Sequence, residues 1–195
     1  MAARARCGLG LFGLKLFGLL GRNRHERAGY ELYAAVVAAA RDSDLYARLG
    51  VPDTLDGRFD LVGLHAFLLI RRLGSLPEPG PDLAQAVFDA MFNDMDVNLR
   101  ELGVGDLSVG RKVRAMWEAF HGRSTAYRAA IEAGDAAALA AALERNVWRG
   151  APPRAGAPAE LARAALAQEA HLAGQGLADL GKGIVTFLPA AEALA

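Results

Sequence analysis

Apolar residues recur through most of this chain at the three-to-four spacing of helices that bury one face. Between His25 and Ala40 the positions Tyr30, Tyr33, Val36, Val37 and Ala40 share such a face, and Ser43 to Leu49 predicts a short helix closed by Gly50. "VPDTLDG", Val51 to Gly57, breaks the pattern, because Pro52 disfavours helix before it and Asp53, Asp56 and Gly57 suit turns and caps. From Arg58 to Leu73 the run Leu61, Val62, Leu64, Phe67, Leu68, Leu69 and Ile70 is apolar nearly all round, which predicts the most buried helix.

After the rigid "SLPEPGP" loop, a helix from Pro81 places Leu83, Val87, Phe88, Met91, Phe92, Met95, Leu99 and Leu102 on one face and stops at Gly103. The next takes Ser108 as N-cap and shows Val113, Met116, Trp117, Phe120, Tyr127 and Ile131 before Gly134. Asp135 caps a further helix to about Arg149. "GAPPRAGAP", residues 150–158, reads as a linker. The alanine-rich helix after it, Ala159 to about Leu180, has so little bulky core that it is expected to pack on a partner or dock loosely. "IVTFL", Ile184 to Leu188, is the one strand-like piece and would cover the core as an extended tail.

Composition agrees with an all-α fold. Aromatic residues are only 7% of the chain and β-branched residues are scarce, which disfavours sheets. A chain of 195 residues suits one ordinary domain. The expected architecture is a single irregular multi-helix domain with an amphipathic N-terminal segment and an extended C-terminal tail. Its parts are a basic and apolar segment at 1–27, a helical domain at 28–149, the linker at 150–158, and the alanine-rich helix and tail at 159–195. The only cysteine is Cys7, which excludes an intrachain disulfide or a cysteine metal cluster and fits a reducing, cytoplasm-like setting.

Net charge is zero, yet the charges are segregated. Through Arg27 the chain carries Arg4, Arg6, Lys15, Arg22, Arg24 and Arg27 against Glu26. From Glu78 to Asp106 it carries Glu78, Asp82, Asp89, Asp94, Asp96, Glu101 and Asp106 against Arg100, and then Arg111, Lys112, Arg114, Arg123 and Arg128 against Glu118. Pairing of the acidic helix with the basic one is the simplest expectation. "LGLFGLKLFGLL", Leu9 to Leu20, is too short to cross a bilayer and, with Lys15 inside it, a poor signal peptide. It would either lie at an anionic lipid interface or pack on the protein's own core.

The candidate chemistry thins out on inspection. Asp94, Asp96 and Asn98 match the first ligands of a calcium loop, but Leu99 stands where glycine must turn and Gly105 where a bidentate glutamate is needed. "GDLSVGRK" has phosphate-loop glycine spacing with Arg111 in place of lysine and no preceding strand, and "GLGLFG" matches a dinucleotide fingerprint by letters alone. Glu118 and His121 form one Glu-x-x-His pair where a di-iron bundle needs two. His65 reads as a core histidine, and His25 and His171 as exposed. No catalytic set, metal or cofactor is expected, no spacing requires heme, and the basic Arg111 to Arg128 block lacks a motif for sequence-specific nucleic acid. Two other classes stand against a binding module. One is a metal or enzymatic domain using Asp94, Asp96, His65, Glu118 or His121, and the other is a membrane-peripheral scaffold.

A more specific signal lies in two long ordered motifs. "LGVPDTLDGRFDLVGLHAFLLIRRL", Leu49 to Leu73, and "MFNDMDVNLRELGVGDLSVGRKVRAMWEAFHGR", Met91 to Arg123, resemble the ubiquinol-cytochrome c chaperone family of bacteria and mitochondria, over roughly Tyr30 to Ile131. The resemblance implies an all-helical assembly factor for the cytochrome bc1 complex, without catalysis. Its mitochondrial members bind newly made cytochrome b, associate with the translating ribosome and work with a small partner protein. By position, Pro52, Asp53, Asp56, Gly57, Arg58, Asp60 and His65 match the first motif, with Arg71 and Arg72 closing it. Asp94, Asp96, Arg100, Glu101, Gly105, Asp106, Lys112 and Arg123 match the second. The charged members other than Asp60, together with His65, are the candidate client-binding or partner-binding residues, and about half of the matched residues are expected to be structural caps and buried pairs. The junction between Asp94 and Lys112 is expected to be a binding surface. Met91, Met95 and Met116 are candidates for adaptable apolar contact. The expected location is cytoplasmic, peripheral at the inner face of a membrane.

Overall fold

The computed structural model describes residues 25–195, so the apolar run at Leu9 to Leu20 lies outside the described residues. All the regular secondary structure among the described residues is helical, with no strand. Its elements are α1 (Glu26–Ala40), α2 (Ser43–Ala47), α3 (Leu55–Gly74), α4 (Gly80–Glu101), α5 (Asp106–Glu132), α6 (Ala136–Val147), α7 (Ala157–Ala173), α8 (Leu177–Leu180) and α9 (Ala190–Ala193).

The all-round apolar run makes α3 the central helix. Every residue from Phe59 to Leu69 is buried, and α1, α4 and α7 pack around it while α5 and α6 touch it from a further side. It begins at Leu55, earlier than the turn chemistry predicts, because the Thr54 hydroxyl accepts from the Gly57 amide at 3.2 Å and caps the first turn. Gly57 is required there: a Cβ would stand 2.1 Å from the Pro52 carbonyl oxygen.

Two other boundaries differ from expectation. Helix α5 starts at Asp106 after an extended Gly105, so Ser108 lies inside the first turn and Asp106 meets the positive end of the helix dipole. Helix α7 starts at Ala157, within the expected linker, and ends at Ala173 before Gly174 and Gly176. Nor is α7 loosely docked. Ala157, Leu161, Ala162, Ala164, Ala165 and Leu172 are buried against α3 and α6, since small side chains let helix backbones approach closely. The segment before it is tied down by Arg154, which donates to the Arg48 carbonyl at 3.0 Å and to Glu160 at 2.6 Å.

Helix α4 and the first half of α5 form a hairpin that runs beyond this core. On α4 the buried positions stop at Met91, and on α5 the stretch between Val109 and Phe120 has none. Gly103, with φ 77°, makes the turn between them. Met91 is fully buried and belongs to the core, so it is not available for client contact, while Phe92 is half-buried against Phe88 and Phe120.

Candidate functional site

The charged residues of the two sequence motifs fall into three places. At the start of α3, Asp60 is a carboxylate with no exposed surface, held between two guanidiniums. Arg123 of α5 donates to it, and Arg149, just past α6, donates through Nε and Nη2 at 2.7 Å each. Asp56 lies 3.6 Å from Arg149, and the Arg123 guanidinium stands 5.6 Å from the Phe59 ring centre. Burial pushes the Asp60 carboxyl above its ordinary value, while the hydrogen bond from Arg149 and the charges of both arginines oppose that shift. Asp60 thus bolts three helices together. Arg149 is the member that sequence reasoning missed; it adopts a left-handed φ of 22° to reach back. Asp53 and Arg58 pair at 2.5 Å on the exposed side of the same turn.

At the other end of α3, Arg71 donates to Glu169 of α7, and Arg72 donates to the Gln175 carbonyl at 2.7 Å. These arginines fasten α7 and the loop after it. His65 is buried on the same helix. Its Nδ1–H donates to the Leu61 carbonyl at 2.8 Å and its ring meets Phe187 edge-on at 5.7 Å, and burial lowers its pKa. His171, expected at the surface, is half-buried with its Nε2 3.1 Å from the Thr186 hydroxyl; His25 is half-buried too.

The third place is the α4–α5 junction. Asp94 accepts from the Tyr33 hydroxyl at 2.7 Å, which anchors α4 to α1, and burial followed by that bond pushes the tyrosine pKa up. Arg100 spans the turn, with Asp96 and Asp106 each at 2.5 Å. Glu101 and Lys112 are exposed, and neither has an ion pair among the described residues. The acidic and basic helices do not pair as their charges suggest: Arg114 bonds Glu118 on its own helix and Arg123 crosses to Asp60 on α3. Around the turn stand three large aliphatics, Val97 at 51%, Leu102 at 60% and Leu107 at 98% exposure. These three aliphatics make the turn the candidate interaction surface among the described residues.

Asp94, Asp96, His65, Glu118 and His121 are not assembled into one centre. His121 stacks on Trp117 at 5.5 Å, and among the described residues no three His, Cys, Asp or Glu side chains are placed to share an ion. No helix among the described residues is long and apolar enough to cross a membrane.

These features define the class as an all-helical domain with a bolted core and an exposed hairpin turn. Residues 47–187 match the model of the family described as ubiquinol-cytochrome C chaperone, and the chain belongs to that family. The match runs past Ile131, where the sequence motifs fade, through α7 into the tail, because those elements pack on α3 as part of one fold. The chain is similar to the protein in "Crystal structure of the Cbp3 homolog from Brucella abortus", with 35% identity, a TM-score of 0.77, and coverage of 86% of this chain and 92% of that one. It is also 24% identical over 120 residues to ubiquinol-cytochrome-c reductase complex assembly factor 1 of Xenopus laevis. That match takes in 62% of this chain and 60% of the frog protein, so the chain spans under two thirds of that relative.

Proposed function

We propose that this protein assists assembly of the ubiquinol-cytochrome c reductase complex by holding newly made cytochrome b at the α4–α5 junction, acting through binding and not catalysis. Family membership supports the assembly role. The observation that carries the choice of surface is the exposure of Val97, Leu102 and Leu107 on one hairpin turn, since a client with apolar membrane-spanning segments needs apolar cover before insertion. Half-buried Met95 and Met116 flank that turn as adaptable contacts. The basic residues before Arg27 add attraction to an anionic membrane or to a translating ribosome, placing the protein at the inner face where a client emerges.

Photocrosslinkers at Arg100 and Lys112, in cells making cytochrome b, test the reading. Capture of cytochrome b supports it; a folded, expressed protein that captures none overturns the assignment of this surface. Deleting residues 1–22 should weaken liposome or ribosome binding in a salt-dependent way, and unchanged binding would remove that part of the proposal.

A further inference from the structure

Asp89, Asn93, Val97 and Glu101 recur every four residues along α4, so they form one row on the helix, and all four are exposed. The row passes α1, where the Asn93 side chain donates to the Tyr30 hydroxyl at 3.2 Å, and it ends at the turn that carries Leu102. Tyr30, Val97 and Leu102, at 43%, 51% and 60% exposure, make it an apolar track from the start of α1 to the turn. Carboxylates border the track. Asp89 accepts from Gln85 at 2.7 Å, and neither Asp89 nor Glu101 has an ion pair among the described residues.

Such a track calls for an occupant that is apolar and positively charged. Residues 1–24 are both: Arg4, Arg6, Lys15, Arg22 and Arg24 stand there with no acid, around the apolar run Leu9 to Leu20, in which Leu9, Phe12, Leu16 and Leu20 share helical spacing. This run lies outside the described residues, but the place where the chain enters the fold limits its reach. Helix α1 starts at Glu26, and a Cβ on its Gly29 would stand 2.7 Å from the Ala86 Cβ of α4. The five steps of chain from Leu20 to His25 span at most about 17 Å, so Leu20 stays near the Tyr30 end of the track. At helical rise Leu9 to Leu20 would cover about 18 Å, and Asn93 to Leu102 covers about 14 Å. The lengths match. A tether this short also gives the run a local concentration at α4 that a free partner lacks.

We propose that residues 9–20 dock along this row of α4 and cover Val97 and Leu102 in the chain that holds no client. The inference rests on the client reading of the junction in one respect: docking and client capture exclude one another, because both bury the same side chains.

Cys7 is the only cysteine, so the full chain can be tested without a substitution. With Leu20 held beside α1, a docked run carries Cys7 to the turn. A nitroxide on Cys7 should therefore erase the Leu102 and Gly103 amide signals and leave those of Leu161 and Ala165 on α7. Turn signals that survive would overturn the docking and leave the run to a lipid interface. Loss that persists when nitroxide and isotope are on separate chains would overturn it too, by assigning the track to a second copy. Val97→Gln with Leu102→Gln should restore the Gly103 signal, and continued loss would overturn the surface named. In cells making cytochrome b, Phe12→Gln with Leu16→Gln should raise its capture from a crosslinker at Lys112. Unchanged capture would overturn the exclusion, whereas no capture from either chain, with the nitroxide result intact, would overturn the client reading alone.

Discussion

Two clusters in this molecule use the same residue types in inverted proportion. Around Asp60 one acid sits between two arginines and is wholly buried; around Arg100 one arginine sits between two acids, about half exposed. In the first, water is excluded from Asp60 and nearly so from Arg123, so these charges depend on their partners, and the cluster joins α3, α5 and the end of α6. In the second, water competes for every contact, so the cluster braces a turn without determining whether the fold stands. Matching charge patterns therefore serve opposite ends: one closes the core, and the other braces a turn that stays exposed.

The largest expected effect comes from breaking the buried cluster. Asp60→Ala leaves the buried Arg123 guanidinium without its counter-charge, while Arg149 keeps Asp56, and should destabilise the fold by about 3–5 kcal/mol. Urea unfolding of the full chain checks it, and a loss below about 1 kcal/mol would show that water reaches this site after all. A smaller effect is expected at His65. Its folded pKa is depressed by burial below the ordinary 6.5, so the unfolded chain binds a proton that the native state refuses. The stability tied to a neutral His65 is present above pH 6.5 and is lost as pH falls from there toward the folded pKa. One group can contribute at most about 1.4 kcal/mol per pH unit. His65→Gln should flatten the slope below pH 6.5 in unfolding measurements, and an unchanged slope would assign it to other groups.

The contrast between the clusters also explains what was legible in the sequence. Helix α3 shows itself through an unbroken apolar run, and the α4–α5 hairpin through helical spacing that stops at Gly103. His65 is legible as a core residue because its neighbours on the helix are all apolar. Arg149 is not legible, because its partner Asp60 lies 89 residues away and nothing local distinguishes it from a surface arginine. Helix α7 misleads for a different reason: a shortage of bulky residues suggests loose docking, yet small side chains against α3 and α6 achieve burial by close approach. The bonds from Gln168 to the Leu188 backbone and from Gln175 to the Thr186 backbone escape detection because nothing local in the sequence sets these glutamines apart from surface ones. For the junction, the motif is visible, but the exposure of Leu102 and Leu107 follows only from where α5 turns back.

The smallest stability effects are expected at that junction, and they are the ones that separate structure from function. Arg100→Ala removes an exposed brace and should leave stability nearly unchanged in urea unfolding. Leu102→Gln with Leu107→Gln should change stability by less than about 0.5 kcal/mol, because side chains that are 60% and 98% exposed lose little on becoming polar. If the turn holds cytochrome b, the same double substitution should sharply reduce its capture from a crosslinker at Lys112 and lower the yield of assembled complex. Asp60→Ala, by contrast, should lower both only in proportion to the folded protein that is lost. A leucine pair that can be made polar with neither stability nor capture affected would show that the exposed turn serves no partner, and the client surface would have to be sought elsewhere on the molecule.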